Sequence, residues 1–201
     1  YEMFEEYKGL QKKENLNYSL VIYCTLAIPI CAVFGFADAS AVGIEGTWKW
    51  RLLGLTPMLV FMAVSLLSKI FKYNPKYTIL QIFATAIIFC LTSMVAGLLC
   101  IVFKFDDKVT SVGLAGIVAG NMLVIFSVAS IRDLKLRYHS SALVVPYVIL
   151  LFILFISETD LAHFVFAGNV IAVLPIVIII IYQRNRVDGA RMKALFDLEH
   201  E

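Results

Sequence analysis

Charge is scarce in this 201-residue chain. Only 16% of residues are Asp, Glu, Lys or Arg, against 61% hydrophobic, and the mean hydropathy is +0.86. Soluble domains run near ~25% charged and ~45–50% apolar, so the balance is that of a membrane protein. No acid or base lies near the middle of any long apolar run. Proton pumps and ion-coupled transporters generally carry carboxylates or histidines there, which argues against those classes. A retinal protein needs a lysine deep in a helix, whereas Lys69 and Lys104 stand at run ends. Haem held between helices needs facing histidines, and His139 and His163 are expected on opposite surfaces, with His163 an interfacial, solvated residue. No His-Glu-x-x-His, Gly-x-Ser-x-Gly or Cys-x-x-Cys occurs, so intramembrane protease and redox chemistry lack their residues. Cys24, Cys31, Cys90 and Cys100 all sit in apolar runs and read as small buried hydrophobes. No cofactor, metal or nucleic-acid partner is expected. The first sixteen residues are polar and run from acidic to basic, which is not a basic n-region followed by an apolar h-region, so no cleavable signal peptide is read.

What is present is a series of six apolar runs, at residues 16–37, 52–68, 77–103, 109–131, 138–157 and 161–183. Most reach the ~20 residues that a helix needs to cross a ~30 Å hydrocarbon core. The expected fold is therefore an all-α membrane protein with a six-helix transmembrane domain over residues 16–183. Residues 1–15 alternate charge with aromatics, and Met3, Phe4, Tyr7 and Leu10 recur at helical spacing. That pattern predicts a short cytoplasmic amphipathic helix lying at the membrane surface. A loop is expected over Asp38 to Trp50, with Trp48 and Trp50 as an aromatic belt. Asn74-Pro75-Lys76 marks a turn, and Asp106-Asp107-Lys108 and Glu158-Thr159-Asp160 mark short loops.

Six spans place both chain ends on one side. Thirteen basic residues fall on that side: Lys8, Lys12, Lys13, Lys69, Lys72, Lys76, Arg132, Lys135, Arg137, Arg184, Arg186, Arg191 and Lys193. The opposite side has four, Lys49, Arg51, Lys104 and Lys108. By the positive-inside rule both termini are expected in the cytoplasm, in a cell inner (plasma) membrane.

Within the spans, Pro29, Pro57, Pro146 and Pro175 each remove a backbone donor, giving either static bends or moving hinges. Gly113, Gly116, Gly120 and Ser127 share one face of the fourth span, and Gly116 to Gly120 forms a small-xxx-small motif for close helix packing. Its partner is either another helix of this chain or a second copy. Gln81, Asn121 and Asn169 are uncharged polar residues inside spans, read as interhelical hydrogen-bonding groups or as polar contacts in a lipophilic ligand pocket. The outer loops are too short to fold into a receptor domain, so any stimulus is a small lipophilic ligand or the lipid bilayer itself.

After Gln183 come Arg184, Asn185 and Arg186, then a charged, helix-favouring tail. Nothing between Ile176 and Gly189 breaks a helix, so residues 184–201 are expected to continue the sixth span as a cytoplasmic linker or signalling helix. Arg184, Arg186, Val187, Gly189, Ala194 and Leu198 are its candidate signal-transmitting residues. Val187, Ala194 and Glu201 are spaced by seven, a weak coiled-coil pattern consistent with a homodimer. An opening Tyr1 and a helix that runs to Glu201 suggest the membrane part of a larger signalling protein.

Phe196-Asp197-Leu198-Glu199-His200-Glu201 is similar to the transducing stretch of bacterial class III adenylyl cyclases, with Phe196, Leu198, Glu199 and Glu201 at the matching positions. The layout as a whole resembles the six-helix membrane anchor of that family. It also resembles the six-helix sensor of the Vibrio quorum-sensing histidine kinase for a long-chain hydroxyketone, through its short loops, Asn15-Leu16 and the basic loop after the fourth span. The resemblance implies a non-catalytic anchor and receptor module that dimerises and regulates a downstream catalytic domain, a cyclase first and a histidine kinase second. A small transporter or channel is the competing reading.

Overall fold

A computed structural model describes residues 2–41, 46–104, 111–157 and 161–200, and the elements among them are all α-helices. They are α1 (Glu2–Ala41), α2 (Thr47–Ile70), α3 (Tyr77–Lys104), α4 (Ser111–Val128), α5 (Leu136–Ile156) and α6 (Leu161–His200). Five are long and apolar enough to cross a membrane. The apolar part of α4, Gly113–Val128, is shorter.

α3 is the central helix. It has no proline, is apolar all round, and buries fifteen of its 28 residues, as expected of a helix surrounded by others. α1, α2, α4 and α5 contact it, and α6 lies across α5, α4 and α1. The outer surfaces remain strongly apolar: Leu59, Leu66, Phe152, Phe155 and Ile179 are each at least 50% exposed. A surface of that kind is stable against lipid and not against water.

Three polar or steric locks hold the centre. Asn121 is fully buried on α4. Its Nδ2 donates to the carbonyls of Val95 (3.2 Å) and Ile117 (2.9 Å), and its Oδ1 accepts the Tyr147 hydroxyl at 2.9 Å. One side chain thus joins α3, α4 and α5. Thr92 Oγ1 donates across to Ala142 O at 3.0 Å. The Trp50 ring lies on Gly97, where even a methyl group would collide with it.

Several boundaries differ from the sequence expectation. Residues 2–15 are not a separate helix on the membrane surface, because α1 runs without a break from Glu2 to Ala41. No helix breaker separates the charged segment from the apolar one, so a single rod carries both. α2 begins at Thr47 and turns Trp48, Trp50 and Arg51 into its first turns, leaving only 42–46 between the helices. Gly46, at φ 92°, makes the left-handed turn that precedes it. Trp48 is exposed, as a belt residue would be, whereas Trp50 packs inward. α4 stops at Val128, three residues early. α6 continues through 184–200 as expected. The expected loops at 106–108 and 158–160 lie outside the described residues.

Candidate functional site at the bundle–stalk junction

Both chain ends leave the bundle at the same end, and their extensions pack together. Phe196 of α6 meets Phe4 edge-on at 5.1 Å between ring centroids and Tyr7 at 5.5 Å. On α6 the inward residues follow a four-residue step: Arg184 and Asp188 are half-buried, Met192 is buried and Phe196 is half-buried. Residues four apart lie one above another on a helix, so this stripe faces inward, and at Phe196 it meets α1. Val187 and Leu198, 63% and 72% exposed, lie on the outer side with Ala194 and Arg186. The extensions therefore form a two-helix stalk whose outward residues include those read from the sequence as a heptad seam.

The segment 129–135, between α4 and α5, is the node where the stalk joins the bundle. The Arg184 guanidinium donates to the carbonyls of Ala129 and Ile131, the latter at 2.8 Å. Carbonyls at a helix C-terminus lack intrahelical partners and carry partial negative charge, so a forked cation there both pairs and neutralises them. α6 is thus fastened to the end of α4. The same segment accepts the Tyr77 hydroxyl of α3 at Asp133 O, 2.5 Å, and its Arg132 N–H donates to Ser19 Oγ of α1 at 3.2 Å. Below it, Tyr23 and Ser127 hydroxyls pair at 3.0 Å. Three helices, α1, α3 and α6, thus bond to the seven residues that link α4 to α5.

Two ionisable groups at this node are shifted. Burial raises the Asp133 carboxyl above its ordinary value. Asn15 lowers it by hydrogen bonding, Asp188 raises it, and Lys12 and Arg184 lower it. Burial lowers Arg184, Asp188 raises it, Arg132 lowers it and Asp133 raises it; a guanidinium nonetheless stays charged. Asp133 also adopts φ 58°, the left-handed region that non-glycine residues other than Asn and Asp seldom enter. Beside the node, His139 in the first turn of α5 is fully buried against the Val128 backbone at the end of α4. His139 sits at the stalk end, as expected, but inside the bundle and away from the surface.

The sequence-derived candidates are scattered. Asn121 is an interhelical lock. Asn169 is exposed on α6, away from the bundle interior. Gln81 is buried and lines a groove of about 510 Å³ between α3 and α5. The three do not form one pocket. On α4, Gly113 is buried, while Gly116 is exposed and Gly120 half-buried. Among the described residues, and apart from the adjacent turns of α4 itself, no atom lies within 4 Å of where a Cβ at Gly116 or Gly120 would stand. The close-packing motif at Gly116 and Gly120 thus has no partner helix in contact among the described residues. Gly120 and Ser127 instead wall a second groove, about 630 Å³, between α1 and α4. Gly189 lies in continuous helix with open space around it.

His163 is half-buried and stacks on Phe103 with 4.6 Å between ring centroids. Cys24 and Cys31 are buried and Cys90 and Cys100 half-buried, all as free thiols. Sequence reasoning missed the Arg184 fork and the buried His139. The signal for the former was present: Arg184 is the first basic residue after the last apolar run and opens the 184–188–192–196 stripe. No family model, curated protein or solved structure matches the chain.

Proposed function

We propose that this chain is the membrane anchor and receptor module of a signalling enzyme. It would hold two catalytic chains together and pass a rearrangement of the bundle along α6 to a cytoplasmic output domain. The thirteen-to-four basic asymmetry supports a cytoplasmic stalk. The similarity of Phe196 to Glu201 to a transducing stretch supports a class III adenylyl cyclase as that domain. The observation that carries the reading is the uninterrupted 40-residue α6, fastened at Arg184 to the end of α4 and paired beyond it with α1. A helix held at the bundle and unbroken past it transmits rotation or translation, which a flexible tether does not.

The exposed Gly116 of α4 and the outward Val187 and Leu198 would supply apolar surface for the second copy. Stimulus and output would meet at segment 129–135, where a shift of α1, α3 or α4 moves the anchor point of α6.

The test alters phase in the full-length protein. One residue inserted after Arg186 turns everything downstream by ~100° and takes Met192 and Phe196 off α1. Seven residues inserted there, together with seven after Lys12 in α1, lengthen both stalk helices by ~10 Å with little change of phase. Output or its regulation is expected to change with the single insertion and largely return with the paired ones. Equal output from both would make the stalk a passive tether.

A further inference from the structure

We propose that the groove between α3 and α5 is a binding site for one anionic phospholipid of the cytoplasmic leaflet, with its head at the paired N-termini of these helices and an acyl chain along the groove. This names a ligand for the proposed receptor module and rests on the cytoplasmic orientation of the stalk, but not on the identity of the output domain.

The mouth is built for an anion. α3 and α5 both begin there, at Tyr77 and Leu136, so both present the positive ends of their macrodipoles. Neither has an acidic residue in its first turn, and the Lys135 cap of α5 makes no side-chain hydrogen bond. Basic residues flank the mouth: Lys76 precedes α3, and Lys135 and Arg137 flank the start of α5. The Arg137 guanidinium lies 4.7 Å from the Tyr138 ring centroid and donates to its hydroxyl at 3.0 Å, and Tyr138 lines the groove.

Below the mouth the wall turns apolar, through Ile82, Ala86, Phe89 and Val145. From Thr78 to Phe89 is eleven residues, or ~16 Å of helix, which is about half of a ~30 Å hydrocarbon core. The groove is therefore one leaflet deep and open toward lipid, which suits an acyl chain better than a helix of another protein. The Thr85 and Ser141 hydroxyls on this wall donate to carbonyls of their own helices, and the polar residue left over is Gln81. It is 6% exposed, and its Nε2, which lies near the Tyr77 hydroxyl, makes no hydrogen bond of good geometry. It lies about one turn deeper than the helix starts, where the ester carbonyl of a lipid with its phosphate at the mouth would fall. The terminal torsion of glutamine is broad and soft, so the amide can turn to donate to that carbonyl.

The experiment uses the whole chain in phosphatidylcholine vesicles containing a small fraction of phosphatidylglycerol with a photoactivatable acyl chain. Crosslinks are expected to concentrate on 82–89 of α3 and 141–145 of α5, and to exceed those on the outer face of α2. Preference for phosphatidylglycerol over a phosphatidylcholine probe at these sites should be about thirtyfold from Lys76 and Arg137 together. Lys76→Glu with Arg137→Glu, both exposed, should abolish the preference, and Ala86→Trp should abolish the crosslinks by filling the acyl path. If Ala86→Trp fails to fold, the charge reversals and Gln81→Leu carry the test. Crosslinks spread evenly over α2, α3 and α5 would show ordinary annular lipid and overturn the proposal. Displacement of the probe by oleate as readily as by phosphatidylglycerol would overturn the phospholipid assignment. An altered output in the insertion test with no lipid preference would sink this site alone.

Discussion

Arg184→Ala is the most informative single substitution. The wild-type guanidinium supplies two charge-assisted hydrogen bonds to the carbonyls of Ala129 and Ile131. Both of those residues are buried, at 9% and 0% exposure, so water does not readily replace the lost donors. A hydrogen bond to a charged group contributes about 1.5–3 kcal/mol. Arg184 is only part-buried, however, and releasing its charge from a low-dielectric site returns some of that. The net loss should be near 3 kcal/mol, about two decades in the folding constant. Arg184→Lys keeps the charge as a single point donor without the fork and should lose roughly half as much.

Stability in detergent is read from thermal or denaturant unfolding followed by Trp48 and Trp50 fluorescence. A second readout separates the clamp from general packing: with Phe4→Cys and Phe196→Cys in a background lacking the native cysteines, the rate of disulfide formation reports stalk pairing. Arg184→Ala should slow that reaction well below the rate in the Arg184 background. If Arg184→Ala unfolds within about 0.5 kcal/mol of wild type, the range of a neutral surface change, and crosslinks at the same rate, the junction is not fastened by this residue.

Gly97→Ala should destabilise by about 1–3 kcal/mol, as overpacking does, because the rigid Trp50 ring must move. Gly54→Ala should cost less, since the nearest obstacle is the flexible Met94 Sδ at 2.6 Å; comparable losses would argue against the Trp50 placement. Asp133→Ala should lose about 1–2 kcal/mol for the left-handed backbone alone, whereas Asp133→Asn keeps that conformation. With its native pKa raised, Asp133 binds its proton more tightly when folded, so its contribution to stability falls as pH rises from the unfolded value of 3.8 through the native one. Asp133→Asn should remove that slope, measured by unfolding across acidic pH. Gly116→Leu and Gly120→Leu should leave monomer stability within about 0.5 kcal/mol of wild type while weakening self-association in detergent or bilayers. Unfolding of the monomer by either would place a hidden partner in this chain.

The apolar runs determined the number, order and approximate limits of the helices, since a segment without charge for some twenty residues has one stable form in lipid. The continuity of α6 was also legible, because no proline or other breaker interrupts 176–188. Neighbourhood was not legible. α3, α5 and α6 are similarly apolar, yet only α3 is enclosed, and composition alone does not say which faces meet. Periodicity grouped Met3, Phe4, Tyr7 and Leu10, but the structure turns Phe4 and Tyr7 toward Phe196 and leaves Met3 and Leu10 exposed. The small residues of α4 marked a close-approach face without its partner, and tertiary packing left Gly116 and Gly120 uncovered. Gln81, Asn121 and Asn169 looked equivalent because each is an amide in an apolar run. Only the rotation of each helix about its axis sent one to a groove, one to the core and one to the outside. The Arg184 fork required a contact across more than fifty residues of chain, between the end of one helix and the side of another. A pattern confined to local spacing carries no information about such a contact.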